Sequence, residues 1–181
     1  METVSAPEPS LNHPMRNITL AKVTVHIGVG KSGEMLERAR KILSDLTGGK
    51  PCTKQAKKTV KDFGIREGEP ISCLVTLRGE NASSFLKRGL DAVGNALKAS
   101  CFDNRGNFAF GIKEHIEIPG TKYDPALGIV GMDIVGTLER PGYNIRRRRI
   151  RASRIGKSHQ ISNQEAIEFL KQKFGVQIKG A

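Results

Sequence analysis

Tryptophan is missing from this 181-residue chain, and aromatic residues make up only 5% of it. Base stacking on rings therefore cannot be its main device for holding a nucleic acid. Cysteine is scarce as well: Cys52, Cys73 and Cys101 are odd in number and widely spaced, with no CxxC pair. His13, His26, His115 and His159 stand apart from them in sequence. That pattern argues against a zinc site and a disulfide framework, and a reducing cytosol is the simple reading. Apolar runs reach only a few residues, too short to span a bilayer. The opening METVSAPEPSLNHP lacks both a basic start and a hydrophobic stretch, so it does not read as a secretory signal. Residues 1–11 are expected to be a flexible tail, with 12–181 forming one domain. Acids, finally, are absent between Arg140 and Gln164.

That last gap frames what is present. The same stretch holds Arg140, Arg146, Arg147, Arg148, Arg149, Arg151, Arg154 and Lys157. So much like charge repels itself, and a polyanion relieves the repulsion by giving up its counterions to fixed arginines. The whole chain carries 30 Lys and Arg against 18 Asp and Glu, a formal net charge of +12. A second basic group, Lys50, Lys54, Lys57, Lys58, Lys61 and Arg66, lies on a poorly periodic segment. Basic runs are often solvated faces, but these two together suit phosphate contacts that position a nucleic acid rather than read its sequence. Neutralising six to eight phosphates would make log affinity fall with log salt at a slope of about −5 to −7. Neither cluster has the apolar helical face that anchoring on an anionic membrane requires.

Periodicity supplies the frame. Val23, Val25 and Ile27 alternate with Lys22, Thr24 and His26, which predicts a half-buried strand. A helix over 34–46 places Met35, Ala39, Ile42, Leu43 and Leu46 on one face, and Gly48, Gly49 and Pro51 end it. A strand then leads into a long exposed loop closed by Gly68, Glu69 and Pro70. Ile71, Cys73, Val75 and Leu77 alternate with Ser72, Leu74, Thr76 and Arg78, a second clear strand. Residues 81–99 return to helical spacing, with Phe85, Leu86, Leu90, Val93 and Leu97 inward. Residues 104–107 are expected to turn, 108–118 and 129–138 to be strands, and 140–158 to form a basic extension. Ser162 with Glu165 makes a capping box for a last helix over 162–174. Strands that follow one another without helices favour an α+β fold, an antiparallel sheet with helices packed on one face. The other face, carrying Lys and Thr side chains, stays available.

Two motifs are decoys. Gly28, Val29, Gly30, Lys31 and Ser32 resemble the end of a phosphate-binding loop. That loop needs a glycine four residues before its Gly-Lys pair, where this chain has β-branched Val25 inside a strand. A tight glycine turn remains, whose bare amides are candidates for a phosphate. Arg105 to Phe110 would come close to an RNA-recognition signature if Asn107 were deleted; as it stands, Phe108 and Phe110 share one face and read as core. Catalytic constellations are missing: His115 beside Glu114 reads as an interfacial or satisfied histidine rather than a general base, and no cysteine has a basic activator in a recognisable pattern. The alternative of a nucleotide hydrolase built on Lys31 is set aside on these grounds, leaving a non-enzymatic binder with no cofactor and no metal.

An ordered set of segments carries a resemblance: NHPMR at 12–16, KVTVHIGVG at 22–30, LTGGKP at 46–51, AKKT at 56–59, ISCLVTLRG at 71–79, GNFAFGIKEH at 106–115, PGTKYDP at 119–125 and GMD at 131–133. Over about 12–178 the chain resembles the universal large-subunit ribosomal protein number five family, the 5S rRNA binders. ERPGY at 139–143, the arginine run and EAIEFLKQKFGV at 165–176 look like its longer archaeal form. The resemblance implies a structural protein of the central protuberance in a cytoplasmic ribosome. It implies 5S rRNA and large-subunit rRNA as partners, with neighbouring central-protuberance proteins, a P-site tRNA and a protein of the small-subunit head. Carried over by position, Lys22, His26, Lys50, Lys54 and Thr76 fall on rRNA-facing positions. Arg16, Gly49, Arg78, Arg146, Arg147, Arg148, Arg149 and Arg151 join them as candidates. Lys57, Lys58, Lys61, Phe63, Ile65 and Arg66 fall on the loop expected to touch the tRNA. The family commonly has Asn at His26 and Gln at Gly49; His26 still donates a hydrogen bond, while Gly49 offers only backbone.

Overall fold

A computed structural model describes residues 13–179; the expected tail at 1–11 lies outside the described residues. The strands are β1 (Thr19–Gly28), β2 (Cys52–Gln55), β3 (Pro70–Leu77), β4 (Ala96–Lys98), β5 (Phe108–Ile112), β6 (Met132–Glu139) and β7 (Gln177–Lys179). The helices are α1 (Glu34–Thr47), α2 (Gly79–Ala92) and α3 (Asn163–Phe174). Five strands form one antiparallel sheet in the order β2-β3-β1-β6-β5, while β4 and β7 pair in parallel as a separate ribbon. This is the α+β arrangement that the alternating segments predict.

Strand side chains alternate between faces, so a single register sorts the whole sheet. Val23 lies opposite Leu77 and Val25 opposite both Val75 and Ile134. These side chains are buried, with Ile27, Cys73, Leu138, Phe108 and Phe110. The helices cover that face, contributing Leu36, Ala39, Leu43, Phe85, Leu86 and Leu90 to one core. Two glycines allow close approach. A Cβ on Gly136 would run into the Phe108 ring, which packs over its cross-strand partner. A Cβ on Gly89 would lie 2.7 Å from the Ile134 side chain, so α2 sits against β6 where it has no side chain of its own.

Several boundaries differ from the periodic reading. Met35 is exposed and Leu36 is buried. Both fall within the wide stripe of a core-facing helix, and Leu36 is the one that packs with Ala39, Ile42 and Leu43. The helix expected over 81–99 stops at Ala92, because Gly94 and Asn95 both take positive φ and turn the chain. Leu97 is still buried, but from β4. The strand expected over 108–118 ends at Ile112, and His115–Glu117 is a 3-10 turn. The strand expected over 129–138 is β6, starting at Met132, and the short β7 follows α3 and pairs beside the Gly94 turn. The final helix matches expectation: Ser162 accepts the Glu165 N–H, and the Glu165 carboxylate accepts the Ser162 N–H.

Candidate nucleic-acid interface

The face of the sheet turned away from the helices is laid out in rows by register. Thr76, Thr24, Val135 and Ala109 form one row across β3, β1, β6 and β5. Cys52, Leu74, His26, Asp133 and Gly111 form the next, beginning on β2. Lys22 lies opposite Thr137, and Lys54 opposite Ser72. Hydroxyls, small residues and cations thus share one broad, shallow surface. Asp133 places a carboxylate 3.6 Å from the His26 ring, so this face is not uniformly cationic.

The basic segment after β6 does not trail away from the fold. It turns at Tyr143–Arg146, continues past Ser153, whose N–H donates to the Ile145 carbonyl, and returns through Lys157–His159. Arg140 anchors this loop. Its side chain is only 5% exposed, and its guanidinium donates to the carbonyls of Arg16, His159 and Gln160 and to the Glu165 carboxylate at 2.6 Å. Tyr143 adds a second staple: its hydroxyl donates to the His159 carbonyl and accepts the Ile161 N–H. Burial alone would raise the Glu165 carboxyl, but the Ser162 N–H and the Arg140 guanidinium outweigh it and hold Glu165 below the usual carboxylate range.

Anchored in this way, the loop faces the end of the sheet. Lys22, Arg78, Arg146 and Arg147 line a single open groove with Val135, Thr137 and Tyr143. Four of the expected contact residues, drawn from β1, the end of β3 and the loop after β6, therefore meet in space. Arg147 also pairs with Glu139, which tempers its charge and fixes its place. Arg148 donates to the carbonyl of Arg151, which holds a left-handed backbone at φ +52°. Arg149 and Arg151 are exposed beyond the groove. Three further cations, Arg105, Arg154 and Lys157, line a second groove sharing this wall. Arg105 is not among the sequence candidates. It is held by Asp103, whose carboxylate accepts the Arg105 and Asn107 N–H groups. Burial would raise Asp103, and the Asn107 and Arg105 hydrogen bonds reverse that, leaving its carboxyl below the ordinary value.

Other candidates lie elsewhere. His26, Thr76 and Lys54 are on the open face but outside the groove. Gly49 and exposed Lys50 sit by the C-terminal end of α1, in a hollow shared with Arg40 and Lys41. The Gly49 N–H already donates to the Thr47 hydroxyl, so its amide is engaged. Arg16 contributes its carbonyl to Arg140. In the glycine turn the Val29 and Gly30 amides are engaged, both donating to the Ile71 carbonyl.

The long basic loop is an ordered projection. Ala56 exchanges hydrogen bonds with Glu69 and Gly68 at its base, and Val60 and Ile65 bond to each other near its end. Lys57, Lys58, Lys61 and Arg66 are exposed, Ile65 is half-buried, and Phe63 presents a ring that is 73% exposed. Glu69 ties the loop to the glycine turn by accepting from the Ser32 hydroxyl and the Arg66 N–H, and these bonds lower its carboxyl.

Among the described residues, no group of three or more His, Cys, Asp or Glu is placed to hold a metal ion, and no helix is long and apolar enough to cross a membrane. His115 is buried and its Nδ1 accepts the Val130 N–H, the satisfied histidine expected from its sequence context.

Comparison with known proteins gives the family. Residues 13–66 match the family model described as ribosomal protein L5, and residues 70–173 match the model of the same family's C-terminus. The two matched segments interleave in one sheet, with β1 and β2 from the first and β3, β5 and β6 from the second. The large ribosomal subunit protein uL5 of Pyrobaculum aerophilum is 54% identical over 166 residues, covering 92% of this chain and 93% of the relative. That of Sulfurisphaera tokodaii is 53% identical, covering 92% and 94%. That of Sulfolobus acidocaldarius is 47% identical over 175 residues, covering 97% and 98%. With archaeal relatives this similar along nearly their whole length, the chain belongs to the ribosomal protein L5 family.

Proposed function

We propose that this chain is a non-catalytic component of the large ribosomal subunit that grips 5S rRNA with the open face of its sheet and the groove beside it. The supporting observation is the convergence of Lys22, Arg78, Arg146 and Arg147 around one groove from three separate parts of the chain. Cations spaced along a concave wall suit a ribose-phosphate backbone, whose charges repeat at short intervals. The hydroxyls of Thr24, Thr76 and Thr137 add donors and acceptors for sugar and phosphate oxygens.

In this reading Lys50 and Lys54 extend the rRNA contact past the edge strand β2. The arginines beyond the groove, Arg148, Arg149 and Arg151, reach large-subunit rRNA. The projecting loop with Lys57, Lys58, Lys61, Phe63, Ile65 and Arg66 meets the P-site tRNA. Its exposed phenyl ring and lysines suit a backbone and an unpaired base. Neighbouring proteins of the central protuberance and a protein of the small-subunit head complete the set of partners in a cytoplasmic ribosome.

Crosslinking in purified large subunits, mapped to individual nucleotides, tests the assignment. Photo-reactive groups placed at Thr137 and Arg146 should mark 5S rRNA, and one at Phe63 should mark tRNA in programmed ribosomes. Crosslinks from Thr137 and Arg146 only to protein would overturn the rRNA reading.

A further inference from the structure

On the helix-covered side, away from the cationic groove, lies a separate cavity of about 390 Å³. Its walls come from α1 (Ile42, Asp45, Leu46), from Arg88 on α2, from His115, and from the loop 120–127. Two polar atoms in this wall lack partners of their own. The Arg88 Nε and the Thr121 Oγ1 are both buried without a hydrogen bond. His115, a side chain only 3% exposed, lines the same wall. Its Nδ1 accepts the Val130 N–H at 3.3 Å, so Nδ1 carries no proton and Nε2 does. Arg88 is fixed in place by donating from Nη2 to the Leu46 carbonyl and by lying over the Phe85 ring at 5.4 Å.

An unmade buried hydrogen bond costs about 1–3 kcal/mol, so two of them in one cavity wall, beside an imidazole N–H, call for an acceptor. The chemistry of that acceptor follows from the charges. Arg88 and Lys122 balance Asp45 and Asp124 around the rim, which leaves no surplus for a doubly charged phosphate. One carboxylate matches a guanidinium N–H, an imidazole N–H and a hydroxyl, because its two oxygens offer several lone pairs. Ile42, Leu46 and Leu127 supply an apolar wall for the carbon that bears it. We propose that this cavity is a carboxylate-binding site in which Arg88, His115 and Thr121 are the ligating residues. The carboxylate comes either from a free small acid or from an acidic side chain of a neighbouring protein.

The test uses the whole chain, ¹⁵N-labelled, titrated with sodium acetate at constant ionic strength, with sodium chloride as the control. Acetate, and not chloride, should give saturable shifts of the His115 ring nitrogens and the Thr121 amide. Thr121→Val keeps the shape of the side chain and should weaken the effect about tenfold, the equivalent of roughly 1.4 kcal/mol. Thr121→Ser should restore it. A blocked pentapeptide with one central glutamate separates the sources. Tighter binding than acetate identifies a protein side chain, and equal or weaker binding a free acid. Shifts that fail to saturate, that chloride reproduces, or that Thr121→Val leaves unchanged in a folded protein would overturn the proposal and leave the cavity to water.

Discussion

Arg140 stands six residues before the arginine run and would be counted with it by charge alone, yet its guanidinium is buried against four acceptors. Removing it leaves the Glu165 carboxylate and several carbonyls short of a donor, which costs more than the bonds contribute. Arg140→Met should lower stability by about 3 kcal/mol, the low end of the buried-pair range, because Glu165 keeps some contact with water. Urea denaturation measures it. Acid should expose the same partnership. Glu165 has a depressed folded pKa, so its contribution is complete above its unfolded value, about 4.3, and disappears as pH falls through the lower folded value. Urea midpoints recorded downward from pH 6 should therefore fall more steeply below about pH 4.3 in the native chain than in Glu165→Gln. Exposed lysines behave differently. Lys50→Ala with Lys54→Ala should leave folding untouched and weaken 5S rRNA binding by a few kcal/mol at most, since charged hydrogen bonds contribute about 1.5–3 each. Unchanged affinity in a filter-binding assay would remove both from the interface.

Among the elements, β6 and the long loop make opposite demands. Gly136 on β6 lies beneath the Phe108 ring with no room for a methyl group. Gly136→Ala should therefore displace that ring and cost about 1–3 kcal/mol by overpacking, read as a lower denaturation midpoint. The loop is closed at its base by the Ala56–Glu69 hydrogen bond, so removing residues 58–66 leaves the sheet intact. That deletion should keep 5S rRNA binding and impair tRNA positioning in the P site. Loss of 5S binding would assign the loop to the rRNA contact instead. Much of this layout is legible in the sequence. The alternation of β1 and β3 and the Ser162–Glu165 box each depend on neighbours within a few residues. The end of α2 escapes a periodic reading because Leu97 fits a helical stripe, and only the Gly94–Asn95 backbone reveals the turn. A strand through 118 is too long a reading because Ile112, His115 and Ile118 are all buried, although the last two sit on a 3-10 turn and its flank.

At the scale of the molecule, charge is legible in the sequence and its assembly is not. The run 146–151 announces a polyanion partner. That it folds back over Lys22 and Arg78 depends on the buried contacts of Arg140 and Tyr143, which no local pattern encodes. The adjoining groove adds Arg105, isolated in sequence and aimed by the Asp103 turn. The molecule thus divides its surface: a cationic open sheet face on one side, helices and a hydrogen-bonding cavity on the other. If the open face grips 5S rRNA, counterion release must dominate the affinity. The direct measurement is the binding constant of the purified chain for 5S rRNA as a function of salt. Log affinity against log salt should fall with a slope of about −5 to −7, shallower by about one in each of Lys22→Ala, Arg78→Ala and Arg146→Ala. A slope near zero, or one that these three substitutions leave unchanged, would contradict a phosphate-gripping sheet face.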